Sequence, residues 1–124
     1  MAKTILIVDD STTMLMSLRN SLEIAGFSVL SASDGQVALD TLKGGAKPDL
    51  IITDINMPNM GGIEFMGKAR ALGGFRFTPI LVLTTESQQV KRDEAKKLGA
   101  TGWLVKPVSG TDLTKIIKQV LPGA

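Results

Sequence analysis

Five polar side chains that could do chemistry stand at or just after the ends of short apolar runs. They are Asp9, Asp10, Asp54, Thr84 and Lys106. Carboxylates brought together repel one another, by roughly 4 kcal/mol for a pair about 4 Å apart at an effective dielectric constant near 20. A divalent cation removes this penalty, and oxygen ligands without His or Cys favour Mg²⁺. A cation and a lysine around one carboxylate also suit a phosphoryl group, which an aspartate can accept covalently.

The composition excludes several other kinds of chemistry. The chain of 124 residues has no His and no Cys, so a Ser-His-Asp triad, a thiol nucleophile and the usual zinc sites are impossible. Its formal net charge is only +2, which is too small an excess to indicate a nucleic-acid surface. No stretch approaches membrane-spanning length, and the N-terminus lacks a signal peptide, so we expect a cytoplasmic protein.

Strand and helix patterns alternate five times along the chain. The predicted strands are Ile5–Val8, Phe27–Ala32, Leu50–Thr53, Pro79–Leu83 and Gly102–Val105. Amphipathic helical patterns follow each of them, and the last carries Leu113, Ile116, Ile117, Val120 and Leu121 at helical spacing. This alternation predicts an α/β fold with a parallel sheet that is covered on both faces. Because ligands bind outside the carboxyl ends of such strands, the five polar residues should converge there.

Turn and cap signals stand between these elements. Ser11 or Thr12 is placed to cap the first helix, and Ser33-Asp34-Gly35 has the composition of a turn and cap before the second. The segment Asn56–Gly62, with Pro58 and two glycines, predicts a loop after the third strand.

With these residues in view, the sequence resembles the receiver domains of bacterial two-component systems. The matching pieces are Asp9-Asp10, Asp54 with Asn56-Met57-Pro58, Thr84 and Lys106-Pro107, in the family's order. The segment Asp54–Met60 is particularly similar to the chemotaxis type of response regulator. The resemblance covers essentially the whole chain and implies a flavodoxin-like (βα)5 fold with a doubly wound parallel sheet in the order 2-1-3-4-5.

The resemblance also implies a role for each matching residue. Asp54 would be the phosphoacceptor, and Asp10, Asp54 and the backbone carbonyl of Asn56 would bind Mg²⁺ directly, with Asp9 acting through water. Thr84 would donate its hydroxyl to the phosphoryl group, and Lys106 would pair with the phosphoryl oxygens. The Lys106–Pro107 peptide bond is expected to be cis. The phosphodonor would be a phosphohistidine on a partner histidine kinase, because this chain has no His of its own.

Two features bear on signalling and on the lifetime of the phosphoryl group. The switch position on the fifth strand holds Trp103 where the family usually has Tyr or Phe, and Thr85 follows the hydroxyl residue. We hypothesise that this bulk damps the inward swing of the ring, since cores resist overpacking. Asn56 and Glu86 are expected to tune the lifetime of the acyl phosphate, and since neither is large and apolar, we predict a short one.

The resemblance places an output surface on the fourth helix, fifth strand and fifth helix. It would include Gln88, Lys91, Lys97, Trp103, Lys115 and Lys118. The partner there would be acidic, as the flagellar motor switch would be in the chemotaxis type, and a phosphatase is a further candidate partner. We expect a monomer formed by one domain, residues 1–124, without an output domain, and without nucleic-acid or membrane partners.

Other functions remain open from sequence. Within the family, the chain could be a phosphate sink or a phosphorelay intermediate, or a pseudo-receiver that binds its partner without phosphorylation. A Mg²⁺-dependent phosphohydrolase with an Asp nucleophile is disfavoured, because Asp54-Ile55-Asn56 lacks a second carboxylate and no loop could hold a cap. A flavin-binding relative of the same fold is also disfavoured, because this chain has no phosphate-cradling glycine loop after the first strand. We therefore expect a signalling domain with weak autophosphatase chemistry and not an enzyme.

Overall fold

Five strands and five helices alternate in the computed structural model, which describes residues 2–121. The strands are β1 (Thr4–Val8), β2 (Ser28–Ala32), β3 (Leu50–Thr53), β4 (Ile80–Thr84) and β5 (Gly102–Val105). The helices are α1 (Thr12–Ile24), α2 (Gly35–Lys43), α3 (Gly62–Ala71), α4 (Gln89–Lys97) and α5 (Gly110–Val120). No helix within the described residues is long and apolar enough to cross a membrane.

The five strands form one parallel sheet in the order β2-β1-β3-β4-β5. The predicted α/β class and strand order are therefore confirmed. Val8, the last residue of β1, pairs with Thr53, the last residue of β3. Thr84, the last residue of β4, likewise pairs with Val105, the last residue of β5. Their carboxyl ends consequently lie along the same edge of the sheet, as the position of the polar residues required.

Alternate strand residues face the two helical layers, which explains the continuous apolar runs. Leu6, Ile51 and Val82 belong to the cluster that packs under α2, α3 and α4. Their neighbours Ile7 and Ile52 belong to the cluster under α1 and α5. Both sheet faces are thus buried, and the polar groups of the sheet are left at its edges and ends.

Four strand boundaries differ from the prediction: β1 begins at Thr4, β2 begins at Ser28, and β4 runs from Ile80 to Thr84. Thr84 is the last residue of β4, not the first residue after it, because its carbonyl oxygen accepts a hydrogen bond from the backbone N–H of Lys106 at 2.9 Å. Phe27 lies outside β2 because its backbone N–H donates to the carbonyl oxygen of Leu22 at 3.0 Å and so closes the end of α1. Each of the four shifts is one residue in size, which is the ordinary uncertainty of boundaries.

The predicted helix caps before α1 and α2 are confirmed. The hydroxyl of Ser11 accepts a hydrogen bond from the backbone N–H of Met14 at 3.2 Å, and Ser11, not Thr12, is the N-cap of α1. The carboxylate of Asp34 accepts from the backbone N–H of Val37 at 2.9 Å and caps α2. Such side-chain acceptors satisfy helix N–H groups that have no partner within the helix.

Candidate functional site

Three carboxylates meet where β1 and β3 end. Asp9 and Asp10 follow β1, and Asp54 follows β3. Each offers one oxygen atom, and these three oxygens lie within 4.8 Å of one another. Asp9 and Asp54 are buried, whereas Asp10 is exposed to solvent. The predicted convergence of these residues is therefore present, and it creates the repulsion for which a cation was expected.

Lys106 supplies a positive charge inside this cluster. Its Nζ atom lies 2.6 Å from Oδ2 of Asp9 and 2.9 Å from Oδ2 of Asp54. Partial burial alone would lower the pKa of Lys106, but its hydrogen bonds to Asp9 and Asp54 and their charges outweigh burial and raise the pKa above its ordinary value. Lys106 therefore stays protonated at neutral pH and bridges the two buried carboxylates.

The other carboxylate oxygens have unequal surroundings. Oδ1 of Asp9 accepts from the backbone N–H of Ser11 at 2.9 Å, and Oδ1 of Asp54 accepts from that of Ile55 at 2.6 Å. Within residues 2–121, no protein group donates to the carboxylate of Asp10. One exposed carboxylate beside two held ones is a donor set that fits Mg²⁺, which keeps several waters and takes one or two protein carboxylates.

Thr84 brings a buried hydroxyl to the same edge of the sheet. It ends β4, the neighbour of β3, and its side chain has no exposed surface. Its oxygen accepts a hydrogen bond from the backbone N–H of Glu86 at 3.1 Å. That bond uses an acceptor site of the hydroxyl and leaves its proton available for another acceptor.

Asn56 and Glu86, the two predicted lifetime-tuning residues, contact each other. The side-chain amide of Asn56 donates to Oε1 of Glu86 at 3.1 Å. Oε2 of Glu86 accepts from the backbone N–H groups of Ser87 and Gln88, both at 3.2 Å. These bonds hold the pKa of Glu86 below its ordinary value, and the bond from Asn56 has the largest effect. The pair thus links the loop after β3 to the start of α4.

The Lys106–Pro107 peptide bond is cis, as expected from the resemblance.

Trp103 on β5 is half-buried and packs against the apolar cluster under α2, α3 and α4. Its indole N–H is buried and has no hydrogen-bond partner among the described residues. The guanidinium carbon of Arg92 lies 5.8 Å from the ring centroid, a distance at which a cation and an aromatic ring attract. No residue pattern in the sequence pointed to this contact between α4 and β5.

The basic residues of the predicted output surface are divided between grooves. Arg92 and Lys96, which were not predicted, border a groove of about 300 Å³ with Trp103; Asp93 also borders it, so basic residues exceed acidic ones there by one. Lys91 borders a different groove with Glu64 and Glu94. The remaining predicted lysines are also separated from Trp103: Lys115 and Lys118 border a groove with Ile24 of α1, and Lys97 borders one with Arg70 and Phe77.

Sequence reasoning missed a contact beside the loop that carries Asn56. The side-chain amide of Asn59 donates to Oδ2 of Asp34 at 2.9 Å, so Asp34 holds this loop as well as capping α2. Asn59 has a φ of 65°, the one positive φ at a non-glycine position among the described residues. Asn is the residue that tolerates this conformation best after glycine, which is the only signal in the sequence that could have indicated it.

Comparisons with known proteins agree with this geometry. The sequence pattern described as "Response regulator receiver domain" matches residues 5–118. The chemotaxis protein CheY1 of Helicobacter pylori is 36% identical over 118 residues, which are 94% of this chain and 95% of that protein. A high-resolution structure of the chemotaxis response regulator CheY4 of Vibrio cholerae is similar with a TM-score of 0.90 and 43% identity, and the match covers 98% of this chain and 100% of that one.

A longer relative shows the same unit inside another protein. The sensor histidine kinase CheAY of Helicobacter pylori is 34% identical over 116 residues. These residues are 93% of this chain but only 14% of that kinase. The likeness therefore concerns one part of the kinase and not the kinase as a whole.

Proposed function

Because the chain belongs to the response regulator receiver domain family, we propose that it is a phosphorylation-dependent switch of the chemotaxis type, with Asp54 as phosphoacceptor. The observation that supports this most directly is the bridge from Lys106 to Asp54 and Asp9, beside the exposed carboxylate of Asp10. This arrangement holds one carboxylate ready as a nucleophile and concentrates positive charge next to it.

Asp10, Asp54 and the backbone carbonyl of Asn56 would hold Mg²⁺, with Asp9 contributing through water. When bound, the ion would neutralise charge on the phosphoryl oxygens during transfer. An oxygen of Asp54 attacks the phosphorus atom of a phosphohistidine on a partner kinase, the P–N bond breaks, and the imidazole leaves with its electron pair. Lys106 then pairs with a phosphoryl oxygen, and the hydroxyl of Thr84 donates a hydrogen bond to another.

Water ends the signal by attacking the phosphorus of the acyl phosphate, which releases inorganic phosphate and regenerates the Asp54 carboxylate. This slow reaction would be the chain's own catalytic activity, so we propose a signalling domain and not an enzyme with a small-molecule substrate. Asn56 and Glu86 would border the path of the water and set the rate of hydrolysis, because side chains at this place can orient or block an attacking water.

Phosphorylation would change the binding of a downstream protein at the face formed by α4, β5 and α5, where Arg92 and Lys96 border the groove beside Trp103. Its positive charge suits an acidic partner, such as the flagellar motor switch of a chemotaxis system. We propose a cytoplasmic location, where a kinase and such a partner are available.

Intact-mass measurement after incubation with Mg²⁺ and acetyl phosphate tests the proposal. Wild type should gain one phosphoryl group, and Asp54→Asn should gain none. Asp40→Asn is the matched control, because it removes the same charge from an exposed position on α2. A wild-type chain that acquires no phosphoryl group, even in the cold where hydrolysis is slow, would instead favour a pseudo-receiver.

Binding experiments then separate the possible pathways. They use the mimic form of the chain, in which a stable group on Asp54 stands in for the acyl phosphate. Retention of a motor protein by the mimic form only would support a motor-binding role. Exchange of phosphate with a second kinase, without such retention, would support a phosphate sink or a relay.

A further inference from the structure

The segment between β3 and α3, residues 54–61, contains both Asp54 and Asn56. At its start the backbone N–H of Asp54 donates to the carbonyl oxygen of Val8 at 2.9 Å. At its end the backbone N–H of Gly62 donates to the carbonyl oxygen of Ile55 at 2.9 Å. Between these bonds the backbone N–H of Met60 donates to the carbonyl oxygen of Pro58 at 2.6 Å, a bond that does not include Asn56. The position of Asn56 therefore also depends on contacts of the segment with other elements.

The turn before α2 provides these contacts on one side. The backbone N–H of Gly35 donates to the carbonyl oxygen of Met60 at 2.9 Å, and a Cβ atom at Gly35 would lie only 2.6 Å from that oxygen. Next to this bond, Oδ2 of Asp34 accepts from the side-chain amide of Asn59 at 2.9 Å. Two neighbouring residues of one turn thus hold two neighbouring residues of the loop.

Asp34 is committed to this arrangement by its other oxygen. Oδ1 accepts from the backbone N–H of Val37, so the carboxylate is fixed at the N-terminus of α2 while it holds Asn59. The side chain is buried, with 6% of the residue exposed. Asn59 in turn has the left-handed backbone conformation, which a residue with a Cβ atom adopts at a cost and keeps only where its surroundings compensate.

We infer that Asp34 and Asn59 are positioning residues for Mg²⁺, which they influence without touching it. This inference rests on the proposed function, in which the backbone carbonyl of Asn56 is a metal ligand. Asn56 is held by Glu86 through its side chain, and the loop that carries it is held by Asp34 through Asn59. Without the second contact, the carbonyl has to be ordered when the metal binds, and that ordering weakens binding.

Three variants separate the side-chain contact from the fold around it. Asp34→Ser keeps an N-cap acceptor for α2 but is too short to reach Asn59. Asn59→Gly keeps the left-handed backbone and removes only the amide. Asp34→Asn keeps both bonds, because the amide of Asn59 can turn over and accept from the new amide.

The Mg²⁺ dissociation constant, measured by calorimetry with the metal alone, is the first readout. We expect Asp34→Ser and Asn59→Gly each to weaken binding roughly tenfold, the low end of what the loss of a group that orients a metal ligand costs. We expect Asp34→Asn to stay within about twofold of wild type, since its hydrogen bonds are retained. The Mg²⁺ concentration for half-maximal phosphorylation should rise in the first two variants, while the rate at saturating Mg²⁺ stays unchanged.

Asp40→Ser is the control for charge, because it removes a carboxylate from the exposed side of the same helix. Wild-type affinity in both Asp34→Ser and Asn59→Gly would overturn the inference while leaving the proposed function intact. Equal weakening in Asp40→Ser would also overturn it, since charge alone would then explain the effect. A wild-type chain that binds no Mg²⁺ would overturn the proposed function together with the inference.

Discussion

The side-chain amide of Asn56 and the carboxylate of Glu86 are joined by a 3.1 Å hydrogen bond, although the two residues are 30 positions apart in sequence. Asn56 follows Asp54, the proposed phosphoacceptor, by two residues, and Glu86 follows Thr84 by two. Asn56 lies three residues beyond the end of β3, and Glu86 lies two residues beyond the end of β4. Because these parallel strands are neighbours, both side chains lie at the same edge of the sheet. The two residues that we expect to control the access of water are therefore in direct contact.

Replacing Asn56 with Leu should lengthen the life of the acyl phosphate. The substitution removes the bond to Glu86 and adds apolar bulk where water must approach, so we expect hydrolysis to slow roughly tenfold, or about 1.4 kcal/mol in activation free energy. Decay of the phosphoryl adduct, followed by intact mass after removal of the phosphodonor, measures this. Asn20→Leu on the exposed side of α1 controls for the substitution itself. Unchanged decay in Asn56→Leu would show that water reaches the phosphorus by another path.

The main features of this site were predictable from sequence because they depend on strand ends. A buried parallel strand is a continuous apolar run, so the residue after each run lies at the carboxyl edge of the sheet. Asp9, Asp54 and Lys106 could be placed together in this way. The contacts of Asp34 with Asn59 and of Arg92 with Trp103 could not, because each depends on the conformation of a loop or the rotation of a helix. The φ of 65° at Asn59 illustrates this, since only the folded loop shows that the residue adopts it.

Removing Lys106 should destabilise the metal-free chain and strengthen Mg²⁺ binding. In Lys106→Met the carboxylates of Asp9 and Asp54 stay buried without their cation, which should cost about 2 kcal/mol, less than the loss of a fully buried partner. Mg²⁺ then meets less competing positive charge, so its affinity should rise. Urea unfolding with and without Mg²⁺ measures both effects, and Lys115→Met is the exposed control. Weaker Mg²⁺ binding in Lys106→Met would contradict this account.

Acid should weaken the contribution of Asp34 to stability. The hydrogen bond from Asn59 and then that from the backbone of Val37 hold the pKa of Asp34 below its ordinary value. A carboxyl group with a lowered folded-state pKa stabilises the fold above its unfolded pKa of about 3.9, and this stabilisation is lost as the pH falls through the folded value. The free energy of unfolding of wild type should therefore fall more steeply with acid than that of Asp34→Asn.

Urea unfolding in steps from about pH 6 down to about pH 3, a range that spans the ordinary carboxyl pKa, tests this difference. Asp40→Asn, at an exposed position of the same helix, is the comparison. If the curves of wild type and Asp34→Asn are parallel over this range, the carboxylate of Asp34 does not gain the predicted stabilisation.

Arg70 should be the most important cation for stability outside the site. Its guanidinium donates to four backbone carbonyls, which belong to the loop between α3 and β4 and to the end of α4: Phe75, Thr78, Leu98 and Gly99. Arg70→Leu leaves these acceptors without their donor and should cost about 3 kcal/mol of unfolding free energy. Arg70→Lys should recover less than half of this loss, because a lysine cannot reproduce the planar set of donors. Arg76→Leu is the control in urea unfolding, and full recovery by Arg70→Lys would contradict the geometry.

Trp103 is the only Trp of the chain, so its fluorescence reports on β5 alone. Arg92 from α4 lies over its ring, while the indole N–H is buried without a partner. The ring is thus restrained from outside by a cation, in addition to the crowding expected from Thr85. If that restraint damps the movement of the ring on phosphorylation, its removal should make the movement larger.

Arg92→Ala should therefore enlarge the change in Trp103 emission that follows addition of Mg²⁺ and acetyl phosphate, by about two- to fivefold if the cation contributes the 0.5–1 kcal/mol of an exposed contact. The change should disappear in Asp54→Asn in either background, since it depends on the phosphoryl group. Arg76→Ala is the matched control, because Arg76 lies 5.5 Å from the ring centroid of Phe77 in the same kind of contact but in the loop between α3 and β4. An emission change in Arg92→Ala equal to that of wild type would mean that the packing of the indole against the core, and not the cation over it, holds the ring.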